Sequence, residues 1–495
     1  GPRHGPHRHL RRVRDPPAPR PPPPPPPPPT PAIAGASGHN FALDGVRGLA
    51  ILLVMWHHMT VFSPASAAER LYTHAAELGT TGVDLFFVLS GFLITGILHD
   101  SKQKLIASGK GAGAFFGNFY ARRTLRIFPL YYAVVVFSLV LLPHLADLLR
   151  HVVSHDKADL IASKLNRFES IGDYAWWFWL YLSNIPIAYT GKWLHGILGV
   201  SWSLAIEEQF YLVWPMLVWF LSRTNAIRAC VLLAVVALAS RAVLAIIMID
   251  EGRGYGPLPA DGVTLHWANP IGVYVLSICR VDDLAFGALG ALMLRATMNI
   301  ERATRVARRL VLSCGAGALA LIVVDNTMGW ATPEIMGSGG GPLFQTLGYT
   351  LAGLACLGGL VLAVASRPGG LWNGIWTSGF MRTMGKYAYA LYLFHLPIRA
   401  AIRDVVFGPG PTKAGGPVPW RTFDGLLGSQ IAGQAVFYVL AIGASLGAAW
   451  VSWALFESQI LRLKRFFPSG VEAKATGRSG RRGVIAAPTL PRCLP

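Results

Sequence analysis

The sequence predicts an all-α fold: a polytopic transmembrane helical bundle of about ten spans plus one interfacial or re-entrant segment. Three observations predict it. Only 14% of the 495 residues are charged and the mean hydropathy is +0.43, values of a chain whose solvent is largely lipid. Apolar stretches recur at about 43–63, 82–99, 126–143, 200–221, 228–249, 274–294, 308–325, 343–365, 385–403 and 431–456, each near the roughly 20 residues that cross hydrocarbon. The basic residues, which give a net charge of +19, fall in the tails and on alternate connections, as topology requires.

The charge distribution also sets the orientation. The N-terminal tail, Lys102 to Arg126, Arg223 with Arg228, Arg295 to Arg309, Arg382 with Lys386, and Arg462 to Arg465 fall on one side if the Trp-rich piece from Asp173 to Tyr189 does not cross. That piece is interrupted by Asp173, Asn184 and Pro186 and has too short an apolar run to span. Both termini are then cytosolic, in the inner membrane of the cell. The opposite connections at 64–80, 250–273 and 326–342 are nearly free of Lys and Arg, although the longer ones at 144–199 and 404–430 carry some. Three regions follow: a disordered basic proline-rich tail over 1–40, a membrane domain over 41–465, and a disordered basic tail over 466–495. The first tail has no apolar core of signal-peptide type and begins without Met, so no function is read from it.

Two function classes are excluded early. Basic residues explained by topology leave none for a nucleic-acid surface. Cys230, Cys279, Cys314 and Cys356 lie in apolar segments without metal-ligand spacing and Cys493 lies in the tail, so neither a zinc site nor a disulfide framework is expected. Membrane lipid is the one partner composition implies.

Along the chain, the first span, FALDGVRGLAILLVMWHH, carries Arg47 and His58 eleven residues apart, about three helical turns or roughly 16 Å on nearly one face. Charged and imidazole groups in hydrocarbon face a cavity or a partner by default; the alternatives are an arginine that snorkels and a satisfied packing histidine. The second span interrupts its apolar run with Ser90 and Gly91, readable either as close helix packing or as a gap for a long thin substrate. The third opens with FYARRTLRIFP, in which Arg122, Arg123 and Arg126 either fix topology or clamp a phosphorylated ligand, for which a nucleotide-bearing acyl carrier such as coenzyme A fits.

The fourth span places Glu207 and Glu208 in lipid. Ser203, Glu207 and Tyr211 share one face, with Glu208 turned about 100° away. Entering from outside, Glu207 lies roughly 9 Å deep, where His58 climbing from the other side can meet it, and a carboxylate that orients an imidazole is the arrangement for general-base attack. Arg280, Asp282 and Asp283 read as a structural ion pair, His395 with Tyr389 and Tyr392 either as a core histidine or as support for the site, and Glu457 as helix-end pairing.

Together these motifs carry a resemblance. Arg47 and His58 in an R-x10-H arrangement, FFVLSGF, RRTLRIFP, WSLAIEEQFY, RVDDLAFG and YALYLFHLP occur in the order found in acyltransferase family 3, bacterial membrane O-acyltransferases that modify surface sugars, peptidoglycan and some macrolides. The match runs from about Phe41 to Glu457. It implies that His58 is the catalytic histidine, that Arg47 with Arg123 and Arg126 serves the acyl donor, and that Glu207 and Glu208 belong to the site. It also implies acyl-CoA, acetyl-CoA in the simplest case, on the cytosolic side, a carbohydrate or glycosylated small-molecule acceptor outside, and no metal. Some members continue into an extracytoplasmic hydrolase-like domain; here the sequence ends soon after the last span, so a separate extracytoplasmic partner is expected for any such handover. His57 precedes His58, and the choice between them rests on the ten intervening residues.

The expected mechanism has the donor's phosphates on Arg47, Arg123 and Arg126 and its thioester threaded past Ser90 and Gly91. His58, oriented by Glu207 or Glu208, then deprotonates the acceptor hydroxyl. The rival reading is a transporter or flippase of a lipid-linked or glycosylated substrate, since polar groups at mid-membrane also describe transport paths; no obvious inverted repeat supports it.

Overall fold

The computed structural model describes Gly1 and residues 40–61, 66–109, 111–145, 148, 174–193, 197–250, 268–295, 299–330, 341–407 and 430–467. Both predicted tails lie almost entirely outside these residues. Among the described residues every regular element is helical.

The N-terminal half contributes α1 (Phe41–Met59), α2 (Ala67–Glu77), α3 (Thr81–Ala107), α4 (Ala112–Val136), the short α5 (Ala175–Trp179) and α6 (Asn184–Thr190), α7 (Ser201–Phe220) and α8 (Arg223–Asp250). The C-terminal half adds α9 (Pro270–Val275), α10 (Ser277–Leu294), α11 (Ile300–Thr327), α12 (Tyr349–Val364), α13 (Leu371–Thr377), α14 (Gly379–Phe407) and α15 (Gln430–Ser452). Helix α1 starts where the Asn40 side chain accepts the Ala42 amide at 3.0 Å, satisfying one of the free donors of a first turn. The connection expected at 64–80 contains α2, opened by a reciprocal Ser66–Glu69 capping box. The Trp-rich piece forms two helices of 5 and 7 residues broken at Tyr181, where φ is +53°, too short to cross a bilayer; Asp173 lies outside the described residues.

Six helical stretches among the described residues are long and apolar enough to cross a membrane by length and composition: Ala67–Ala107, Ala112–Leu145, Arg223–Met248, Ile300–Thr327, Phe344–Val364 and Gln430–Phe466. The expected count of about ten is therefore not reached on this criterion. The shortfall has a physical reason. Helices α1, α7, α10 and α14 are the ones that carry Arg47, Glu207, Arg280 and His395, and they are largely buried, so protein rather than lipid solvates their polar groups. By contrast the apolar windows of Arg223–Met248 and Ile300–Thr327 are only 22% and 11% buried, as helices at a lipid boundary should be.

Glycines let the interior helices approach. A Cβ at Gly91 would strike the Leu284 carbonyl of α10, and one at Gly287 the Val88 carbonyl of α3. The same contact brings α1 onto α14, where Gly48 lies against the Met381 carbonyl and Gly385 against that of Asp44. Gly91→Ala should therefore force α3 and α10 apart and cost about 1–3 kcal/mol, the range for overpacking. Gly117→Ala, with nothing within 4 Å of the added carbon, serves as the control. Thermal unfolding in detergent, with Gly91→Ala melting several degrees below both the parent and Gly117→Ala, is the expected result.

Charged groups tie the same helices together. Arg280, wholly buried, donates to Asp84 of α3 and, at 3.1 Å, to Asp283 one turn along its own helix, while its guanidinium lies 4.2 Å from the centre of the Tyr349 ring. Arg241 of α8 reaches Asp282 at 2.8 Å, and Thr350 of α12 donates to the same carboxylate at 3.1 Å. Asp84–Arg280 near one end and Asp100–Arg295, at 2.8 Å, near the other run α3 and α10 side by side in parallel.

Candidate active site

Five helices converge on one cavity. Its lining includes Arg47 of α1, Ser90 of α3, Arg123 and Arg126 of α4, Ser203, Glu207 and Tyr211 of α7, and Tyr389 and Tyr392 of α14, with Phe86, Phe87 and Leu204 among the apolar walls. The four-residue spacing that put Ser203, Glu207 and Tyr211 on one face of α7 delivers all three to it. A second cavity shares Ile94, Arg123 and Arg126 with the first and adds Arg122, Asn118 and Lys464, so that four cations surround it.

The arginine end is organised by carboxylates. Arg47 pairs with Asp44 at 3.2 Å, one turn before it. Arg123 lies 3.8 Å from Glu207 and 3.8 Å from Glu208, and its guanidinium sits 3.8 Å above the Tyr211 ring. Glu207 is held in turn by two hydroxyls: Ser90 donates at 2.6 Å and Tyr211 at 3.2 Å. A carboxylate that accepts from two hydroxyls beside a guanidinium is fixed in place, and so fixes Arg123. Glu208 is not among the cavity residues; its pairing with Arg123 comes from behind.

Arg126 lines the same cavity as Arg47 and Arg123. Three guanidiniums at one cavity end make a place for an anion.

At the opposite end of the stripe on α1, His58 meets a partner. Its Nδ1 lies 2.9 Å from Nε2 of His395 on α14, with the two rings stacked at 5.0 Å between centres. His395 is wholly buried, whereas His58 is half-buried. Parallel packing of α1 on α14, Asp44 level with Gly385, carries the register along to this pair.

The end of α1 is gripped from three sides. Arg399 donates to the His58 carbonyl at 2.6 Å, Gln434 of α15 donates to the Met59 carbonyl at 2.7 Å, and the Thr60 hydroxyl lies 2.6 Å from that of Tyr438. His57 points elsewhere, its Nδ1 3.4 Å from Glu77 on α2. Ser203 and Tyr392 share a hydroxyl contact of 2.6 Å at the cavity wall, and Tyr392 lies one turn before His395.

Two expectations change. Glu207 and Glu208 do not orient His58: both engage Arg123, and Ser203, one turn along α7, stands on the side toward the histidines. The partner of His58 is an imidazole from another helix. Gly91 does not open the cavity either, because its missing side chain admits the α10 backbone, whereas its neighbour Ser90 does face the lumen. Among the described residues no group of three or more His, Cys, Asp or Glu stands where it could hold a metal ion.

The residues absent from the expected set are Tyr211 and Ser203 as liners, Tyr392 as the link, and His395 as the histidine partner. Their signal was present in the four-residue spacing on α7 and in the YLFHLP run. What placed them together was the helix pairing.

Comparison with known proteins bears on what this arrangement serves. The profile of an acyltransferase domain matches residues 40–454. The chain is 28% identical over 365 residues to the peptidoglycan O-acetyltransferase OatA of Listeria monocytogenes, covering 72% of this chain and 49% of that protein. It is 25% identical over 367 residues to the O-acetyltransferase OatA of Staphylococcus aureus, covering 72% and 50%. The chain thus spans about half the length of the relatives it matches. No solved structure matches it significantly. With the profile covering nearly everything between the tails, and the motif order of Arg47, His58, Arg123, Glu207 and His395 running through it, the chain belongs to acyltransferase family 3.

Proposed function

We propose that this chain, seated in the inner membrane with both ends in the cytosol, moves an acyl group, acetyl in the simplest case, from acyl-CoA to a hydroxyl of a sugar-containing acceptor at the outer face. One observation carries the reading: three guanidiniums line one cavity, and Tyr392 on its wall lies one helical turn before His395, whose Nε2 faces His58, although the two histidines are not themselves among the lining residues. The names of the relatives, peptidoglycan O-acetyltransferase and O-acetyltransferase, agree with it.

In this reading the donor's phosphates rest on Arg122, Arg123, Arg126 and Lys464 around the second cavity, where fork-shaped guanidiniums suit phosphate oxygens. The acyl arm passes Arg123 into the first cavity along Ser90 and Tyr211. His58 takes the proton of the acceptor hydroxyl as its oxygen attacks the thioester carbon; the C–S bond breaks, its electron pair leaves on sulfur, and the thiolate takes up a proton to become free CoA. The Glu207–Arg123 pair holds the lumen open to the arm without entering the proton transfer.

The test uses purified protein in nanodiscs, acetyl-labelled CoA and soluble peptidoglycan fragments. Labelled ester on the sugar with stoichiometric release of free CoA is the expected outcome. Intact thioester beside translocated sugar would favour transport instead, and intact thioester with no labelled sugar from any glycan acceptor would remove the donor from the scheme.

A further inference from the structure

His395 Nδ1 lies 3.1 Å from the Leu391 carbonyl and 2.8 Å from that of Tyr392, one turn back on its own helix. Carbonyl oxygens only accept hydrogen bonds, so this nitrogen must carry the hydrogen. In a neutral imidazole the other nitrogen then holds a lone pair, and Nε2 of His395 is the atom facing His58 Nδ1 at 2.9 Å. Two lone pairs at that distance in a buried place repel. His58 Nδ1 must therefore be the donor, which leaves the lone pair of His58 on Nε2.

We infer that His395 is a positioning residue that sets the tautomer of His58, so that Nε2 of His58 is the atom that takes the acceptor proton. The identity of the proton's source rests on the function proposed above; the tautomer does not. The logic is that of a carboxylate behind a catalytic imidazole, with a neutral ring in its place. When His58 gains a proton at Nε2, its Nδ1–H still donates to His395, so no bond in the pair breaks.

The surroundings favour passing that proton on. Arg399, one turn beyond His395, brings its cation against the His58 carbonyl, and the His57 ring lies 5.0 Å from that of His58. Glu77 pairs with His57, and the Tyr392 ring lies 5.8 Å from that of His395.

The experiment pairs a spectroscopic readout with kinetics. Protein labelled with 15N at histidine, in nanodiscs, is compared with His58→Asn to assign the His58 ring nitrogens. The expected spectrum has the hydrogen of neutral His58 on Nδ1. In His395→Leu it should move to Nε2, with kcat for acetyl transfer falling about 100-fold, the lower end of a general-base contribution, and KM for acetyl-CoA within threefold of the parent. His395→Gln, whose side-chain oxygen can accept near the lost Nε2, should regain at least tenfold over Leu.

Hydrogen on Nε2 in the parent overturns the inference. So does His395→Leu with undiminished kcat, or Leu and Gln variants equally inactive though folded, which would make His395 a packing residue. If the parent transfers nothing from acetyl-CoA, the donor assignment fails while the spectrum still decides the tautomer.

Discussion

His58→Ala is expected to lower acyl transfer by about two to four orders of magnitude and to leave the bundle intact, the loss typical of removing a general base. The structure explains why folding should survive. Arg399 grips the backbone carbonyl at position 58 rather than the ring, and Gln434 and Thr60 secure the next two residues, so the end of α1 stays anchored without the imidazole. The half-buried side chain leaves space that water can fill, and water can satisfy His395 Nε2. His57→Ala is the matched control: that ring turns to Glu77, so most activity should remain. Initial rates with labelled acetyl-CoA, alongside size-exclusion profiles, decide the matter. A His58→Ala enzyme within tenfold of the parent would refute the assignment, and an inactive His57→Ala with an active His58→Ala would move it by one residue.

The largest expected effect on stability is at Arg280. Replacing it with Leu leaves Asp84 and Asp283 buried without their cation, and breaking a buried pair from one side costs about 3–5 kcal/mol. Arg280→Lys should rescue little, because a single ammonium cannot span both carboxylates while lying over the Tyr349 ring as the planar guanidinium does. Removing charge from the other side should help: Arg280→Leu with Asp84→Asn and Asp283→Asn should recover more than half of the loss. Thermal scans in nanodiscs of the single, conservative and triple variants test this ordering. Asp84 precedes Phe87 of the cavity wall by one turn, so activity should fall with stability in the single variant and return with it in the triple.

Much of this was legible in the residues because lipid makes polar side chains conspicuous. Arg47, Arg123, Arg126, Ser90 and Glu207 line one cavity, and periodicity alone put Ser203, Glu207 and Tyr211 on a shared face. What could not be read was which helix lies beside which. Depth along the membrane normal allowed Glu207 to meet His58, but depth is one coordinate of three; lateral neighbours are set by contacts such as Gly48 on Met381, which carry no signature beyond a small residue. The same gap hid His395, visible as an intramembrane histidine but without an assigned partner. The count of about ten spans is not confirmed by helix length and composition for a related reason, since several helices at the site are largely buried in protein and need not be apolar all round.

The two imidazoles come from positions 337 residues apart. During synthesis, α1 emerges long before α14, and until the later helix docks the earlier one holds its histidine without the neighbour that orients it. On the function proposed above, the base is thereby withheld from a half-inserted polypeptide: a donor could reach the arginines of an unfinished chain, but no oriented imidazole would await it. On that reading, maturation of the site and completion of the chain's insertion become one event.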